Sequence, residues 1–237
     1  MRVRLITFLA LALAGTAASV SCSGVSDSRA AEEVPMVGGA HAGPRFVLDL
    51  RPGTQYRKEM RVLGIGYTVR PQVAAWVESK DGVFLGTLYA TEAAATGRYA
   101  AAPQTGRPEA LPVWSALRAS KKDIDAVSSP TVQEKPINYG ASLASRLRPG
   151  TYYIFLEINR SYDWNGTYTK KNSGVNGQPS LVYRAALEVG GGRREASFEP
   201  IGTGSIDGTD GAIRPGLAGI DTALDLFSSL RVSYEEN

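Results

Sequence analysis

The sequence predicts a mainly β protein, a sandwich of short antiparallel strands, and three observations carry that prediction. Apolar and polar residues alternate through 45–50, 72–79, 83–90, 147–159 and 181–189, the period of strands that bury one face. Turn residues separate these runs, among them Arg51-Pro52-Gly53-Thr54, Lys80-Asp81-Gly82 and Gly190-Gly191-Gly192. Helical spacing is confined to a few short stretches, so sheets must pack on sheets.

Taken in order, RFVLDL (45–50) is a first strand. YRKEMRVLGIGYTV (56–69) reads as one less regular strand with two glycines near its end. QVAAWVES (72–79) places Val73, Ala75 and Val77 on one face and Trp76 on the other. The Asp81-Gly82 pair joins it to VFLGTLYA (83–90) as a hairpin. Residues 91–111, rich in Ala, Gly and Pro, form a long connection with at most one helical turn. It is long enough to cover the face that carries Trp76. PVWSALRASKK (112–122) is a short helix that turns Val113, Trp114 and Leu117 inward. LRPGTYYIFLEIN (147–159) has Tyr152, Ile154, Leu156 and Ile158 on one parity and Tyr153, Phe155 and Glu157 on the other. LVYRAALEV (181–189) is its antiparallel partner. The tail GIDTALDLFSSLRVSY reads as a short helix capped by Asp221, with Ile220, Leu224 and Phe227 on one stripe, then a last strand. Leu-x-Pro-Gly-x-x-Tyr at the start of this 147–159 run resembles the tyrosine corner of immunoglobulin-like and fibronectin-like sandwiches, with Tyr153 as its phenol.

The chain begins MRVRLITFLALALA, two arginines and an apolar run too short to span a bilayer, followed by small residues. We expect residues 1–21 to be a secretory signal. Cys22, the only cysteine, ends an SVSC stretch that resembles a bacterial lipobox, although Ser19 stands where the pattern prefers Leu. Lipidation at Cys22 would hold the protein on the extracytoplasmic face of a membrane, in the periplasm; cleavage near Ser28–Ala30 is the alternative. Residues 22–43 have the composition of a flexible tether, and 44–237 suit one domain.

Of 26 basic and 23 acidic residues, Arg2 and Arg4 leave with the signal, so the mature charge is nearly balanced and gives no reason to expect nucleic acid. The only histidine, His41, lies in the tether. The folded part therefore has no His and no Cys. That excludes His-dependent triads, thiolate and imidazole metal sites and disulfides. Carboxylates, Lys, Tyr, hydroxyls or a borrowed cofactor remain. The expectation is a binding domain with no catalytic residues and no metal.

The stretch NRSYDWNGTYTKKNSGVNGQPS (159–180) joins two strands and sets aromatics among Asn, Gly, Ser and Lys, the composition of adaptable recognition loops. Tyr162, Trp164, Asn165 and Tyr168 are its candidate contacts with a periplasmic protein or small ligand. Asn-Gly pairs at 165–166 and 176–177 favour tight turns that would raise the loop as a ribbon. The alternative is a loop that folds back and caps the core. DAVSSPT (125–131) resembles the motif in which threonine receives covalent FMN, which makes Thr131 a flavin candidate, with Ser129 and Pro130 in place of the usual Gly-Ala. DGTDG (207–211) resembles a calcium loop but reads first as turns. Glu157 and Glu188, on neighbouring strands, are a candidate carboxylate pair for a glycan-active enzyme, the alternative to a binding domain.

PQVAAWVESKDGVFLGTLY (71–89), LPVWS (111–115), DAVSSPT and PGTYYIFLEIN occur in the order found in a bacterial family of predicted periplasmic proteins, domain of unknown function 2271, which the chain resembles over roughly residues 70–190. The resemblance implies a periplasmic accessory domain of immunoglobulin-like build, linked to flavin-based extracytoplasmic electron transfer. It supplies no catalytic residues.

Overall fold

The computed structural model describes residues 43–62, 64–99, 106–120, 128–129, 137–139 and 141–236. Cys22, His41 and Thr131 lie outside them, as do the signal and tether and all of DAVSSPT except Ser128 and Ser129.

The described chain is mainly β, with two sheets facing each other. Strands β1 (Arg45–Pro52), β7 (Ile137–Tyr139), β10 (Arg194–Ser197) and β13 (Phe227–Glu235) form one sheet in the order β10-β13-β1-β7. The larger sheet contains β4 (Gln72–Ser79), β5 (Phe84–Thr91), β6 (Ser128–Ser129), β8 (Gly150–Asn159), β9 (Leu181–Val189), β11 (Glu199–Thr203) and β12 (Arg214–Pro215). Its order is β12-β11-β9-β8-β4-β5-β6. Phe46 and Leu48 from the first sheet meet Val73, Val77, Ile154 and Leu156 from the second in a shared core. The period-two pattern thus places the residues it predicted.

A third layer covers the back of the larger sheet. Helices α1 (Glu92–Thr96) and α2 (Pro112–Ser120) lie over Trp76, Phe155 and Val182 and enclose a second apolar cluster with Leu111, Val113 and Trp114. Strands β4 and β8 are therefore covered on both faces, which accounts for their long buried runs. A further short helix, α3 (Ala141–Ala144), adds Leu143 to the main core.

Three local expectations are corrected. Residues 56–69 form two strands, β2 (Lys58–Val62) and β3 (Ile65–Val69), paired with each other and outside both large sheets. Gly64 makes the reversal at φ 82, a conformation that side-chain-bearing residues resist. The tail begins with a single 3-10 turn over Thr222–Asp225, and Asp221 accepts from the Thr222 backbone N–H. Phe227 already belongs to β13, and Leu224 is exposed, so the helical stripe does not form. At the start of β8, Tyr152 and not Tyr153 ties the turn, donating to the Arg148 carbonyl at 3.0 Å. Tyr153 lies on the opposite face under the Arg184 guanidinium.

Candidate functional site

The 160–180 segment does not rise as a ribbon. It closes on itself, with the short helix α4 (Lys170–Ser173) at its far end, and is fastened to the top of the sandwich by buried polar groups. Arg160 pairs with Asp163 and donates to the Gln55 carbonyl, and both charged side chains are almost fully buried. Gln178 donates to Asp163 and to Thr222 Oγ1 (2.7 Å), and it accepts from the Asp221 N–H. Arg107 reaches across to Ser161 and Asn176. These bonds come from residues far apart in sequence, which is why the Asn-Gly pairs alone misdirect the reading. Gly177 sits at φ 74 against the Asp163 backbone, and a Cβ there would lie 2.5 Å from main-chain atoms. Gly177→Ala is therefore expected to cost about 2–3 kcal/mol, read from the denaturant midpoint. A midpoint equal to wild type would mean the loop is not clasped at that point.

The four candidate residues divide into two pairs. Tyr162 and Trp164 face the β2–β3 hairpin. Their rings meet edge to face at 5.6 Å, the Lys58 ammonium lies 5.8 Å above the Trp164 ring, and Lys58 also donates to the Tyr162 carbonyl. Tyr67 from β3 shares the hairpin face of Lys58 and Met60, and its phenol pKa is raised, first by desolvation and then by the neighbouring Tyr162 phenol. Burial lowers the Lys58 pKa, Arg160 adds repulsion and Asp163 opposes both. The Trp164 indole N–H donates to the Gly174 carbonyl at 2.7 Å. All three aromatics remain partly exposed.

Asn165 and Tyr168 face the other way. Asn165 accepts from the Thr167 and Tyr168 N–H groups and donates to the Gly219 carbonyl at 2.8 Å; the Tyr168 hydroxyl donates to the Ala218 carbonyl. They hold the loop to the 216–221 segment. Lys58 and Tyr67 escaped the sequence reading because the hairpin that carries them was read as a single strand. The parity of Lys58 and Met60 was the only signal.

Tyr162 is the only residue other than glycine with positive φ among the described residues, at 62°. A left-handed tyrosine costs about 1–2 kcal/mol and persists only where its surroundings hold it. Here the ladder contact between Asp163 and Gly177 and the Tyr162 N–H bond to the Val175 carbonyl (2.7 Å) do so.

The other candidates are placed as follows. Glu157 and Glu188 are not brought together, since Glu157 pairs with Val182 and Glu188 with Thr151. That offset along β8 is about 20 Å. Glu188 is exposed and accepts from Thr151, whereas Glu157 is fully buried beneath α2. Hydrogen bonds from Ser205 and Thr209 hold the Asp207 carboxyl down at about 2, and Asp210 is paired with Arg214. DGTDG is thus closed by its own bonds, and no cluster of three metal-ligating side chains occurs among the described residues. The charged side chains on the outer face of the four-stranded sheet pair with one another, Arg231 and Arg193 with Glu195, and Arg45 and Arg193 with Glu235. No helix among the described residues is long and apolar enough to cross a membrane.

No family model matches the chain, and no curated protein or solved structure does either.

Proposed function

We propose that this protein is an exported, lipid-anchored accessory domain of immunoglobulin-like build that binds a partner through one end of its sandwich and performs no chemistry itself. The strained Tyr162 carries this reading. A stability-driven loop would place glycine or asparagine at φ 62. A tyrosine held there by a buried ion pair and partly exposed beside Trp164 and Tyr67 fits a rigid aromatic contact, ordered before its partner arrives.

Tyr162→Gly tests the reading because it separates binding from folding. Glycine relieves the backbone strain while the edge-to-face contact with Trp164 is lost. Stability is therefore expected to stay within about 1 kcal/mol of wild type. Capture of the partner from an extracytoplasmic extract should disappear. Unchanged capture, or a loss of several kcal/mol, would make the loop a cap on the core and nothing more.

A further inference from the structure

Beneath the loop, four groups of its fastening stand in the arrangement of an acyl-transfer site. The Gln178 side-chain amide is held at both ends. Its carbonyl oxygen accepts from the Asp221 N–H at 2.9 Å, and its nitrogen donates to Asp163 Oδ2 at 3.1 Å and to Thr222 Oγ1 at 2.7 Å. These partners settle which end of the amide is oxygen. The Thr222 hydroxyl donates in turn to Asp163 Oδ1 at 2.9 Å. One carboxylate therefore touches both a hydroxyl nucleophile and the amide nitrogen that would leave. Gln178 is 1% and Asp163 3% exposed, and the Gln178 backbone N–H bonds to the Asp163 carbonyl at 2.9 Å. Asp221 Oδ1, 3.1 Å from the hydroxyl, is a second acceptor for the same proton.

We infer that Thr222 and Gln178 join in an intramolecular ester, formed by the chain on itself, with Asp163 as the proton carrier. Thr222 Oγ1 attacks Gln178 Cδ, one bond beyond the nitrogen it contacts, as its proton passes to Asp163. The Asp221 N–H bonds the oxyanion that develops on Gln178 Oε1. The C–N bond then breaks, the Asp163 carboxyl returns the proton to the departing nitrogen it already touches, and ammonia leaves. A C–O bond has replaced a C–N bond, with no oxidant, reductant or second reactant. Groups held in this way react as if at very high concentration, because folding has already brought them together. Burial of Gln178 and Asp163 keeps out the water that would hydrolyse the product. The site acts once, on its own chain, and turns over no substrate. The product ties the 160–180 loop covalently to the segment that enters β13, in a chain whose single cysteine rules out an internal disulfide. It does not depend on what the loop binds.

Peptide mapping of the purified full chain by mass spectrometry tests this. Trypsin should release residues 172–184 joined to 195–231, lighter than the two peptides together by one ammonia. Hydroxylamine, which cleaves esters and spares amides, should separate them. Recovery of both peptides free and at full mass from the folded protein would overturn the inference. Asn176-Gly177 can also lose ammonia by closing to a succinimide, but that leaves 172–184 unlinked. Ammonia loss confined to that peptide would therefore overturn the inference as well. Thr222→Val has no nucleophile and should yield both peptides free, and a link that persists in it would exclude Thr222. In samples taken at intervals after synthesis, Asp163→Asn should form the link about a hundredfold more slowly than wild type. An equal rate would overturn the role given to Asp163. The wild-type map alone decides whether the ester exists, so the test holds where a variant fails to fold.

Discussion

Trp76→Ala is expected to lower the unfolding free energy by about 3–5 kcal/mol, with a matching fall in the urea midpoint. Trp76 is fully buried in the middle of β4, and its indole stacks on Phe155 from β8 with ring centroids 5.3 Å apart and planes 7° from parallel. Its N–H donates to Glu78 at 2.8 Å. Above it lie Leu111, Val113 and Trp114 from the helical layer. Truncation leaves a void between sheet and helices that rigid neighbouring rings cannot fill. Trp76→Phe keeps most of the volume and loses the N–H bond, so about 1–2 kcal/mol is expected. An unchanged midpoint for the alanine variant would mean the helical layer does not pack on this strand.

Much of this architecture is legible because local chemistry and global packing agree. The Asp81-Gly82 turn joins β4 and β5 as the alternation demands, with Gly82 at φ 76 and the Ser79 N–H bonded to the Val83 carbonyl. Val113 and Trp114 turn inward on α2 because the one apolar stripe of that helix lies over the one large apolar patch on the back of the sheet. Where the reading failed, a distant group decided the outcome. Tyr152 and Tyr153 both follow Leu147-Arg148-Pro149-Gly150, and only the arrival of α1 and α2 determines which face of β8 is the back. The 160–180 loop looks like two Asn-Gly hairpins until Gln55, Arg107 and Thr222 supply its fastenings. Alternation marks Glu157 as outward-facing, and it is outward-facing from the main core. Nothing near it in sequence announces that α2, more than thirty residues earlier, will cover it.

Covered in this way, Glu157 is expected to make stability depend on pH. Helix α2 opens with Pro112, which has no N–H to leave unsatisfied, and the Ser115 N–H already bonds to the Leu111 carbonyl. The orphan donors are the N–H groups of Val113 and Trp114, and the Glu157 carboxyl accepts both, at 3.2 and 2.8 Å, together with the Ser180 hydroxyl at 2.6 Å. A strand side chain thus caps a helix from another part of the chain, and the positive end of the helix dipole favours a carboxylate there. Burial works against the charge more strongly than the three donors favour it, and it pushes the carboxyl up to about 7. Because the folded pKa exceeds the unfolded value of 4.5, the folded state holds the extra proton between those limits. The stabilisation is complete below pH 4.5 and is lost as pH rises through 7, by on the order of 3 kcal/mol across the window. Glu157→Gln cannot titrate, so its urea midpoint should lose this dependence at the cost of one donor left unpaired, about 1–3 kcal/mol. Glu157→Ala should cost more, about 4 kcal/mol, because two backbone N–H groups and a hydroxyl are then stranded in a dry layer. Midpoints that run parallel for wild type and Glu157→Gln between pH 4.5 and 7 would show that Glu157 stays ionised in the folded protein and that the cap outweighs burial.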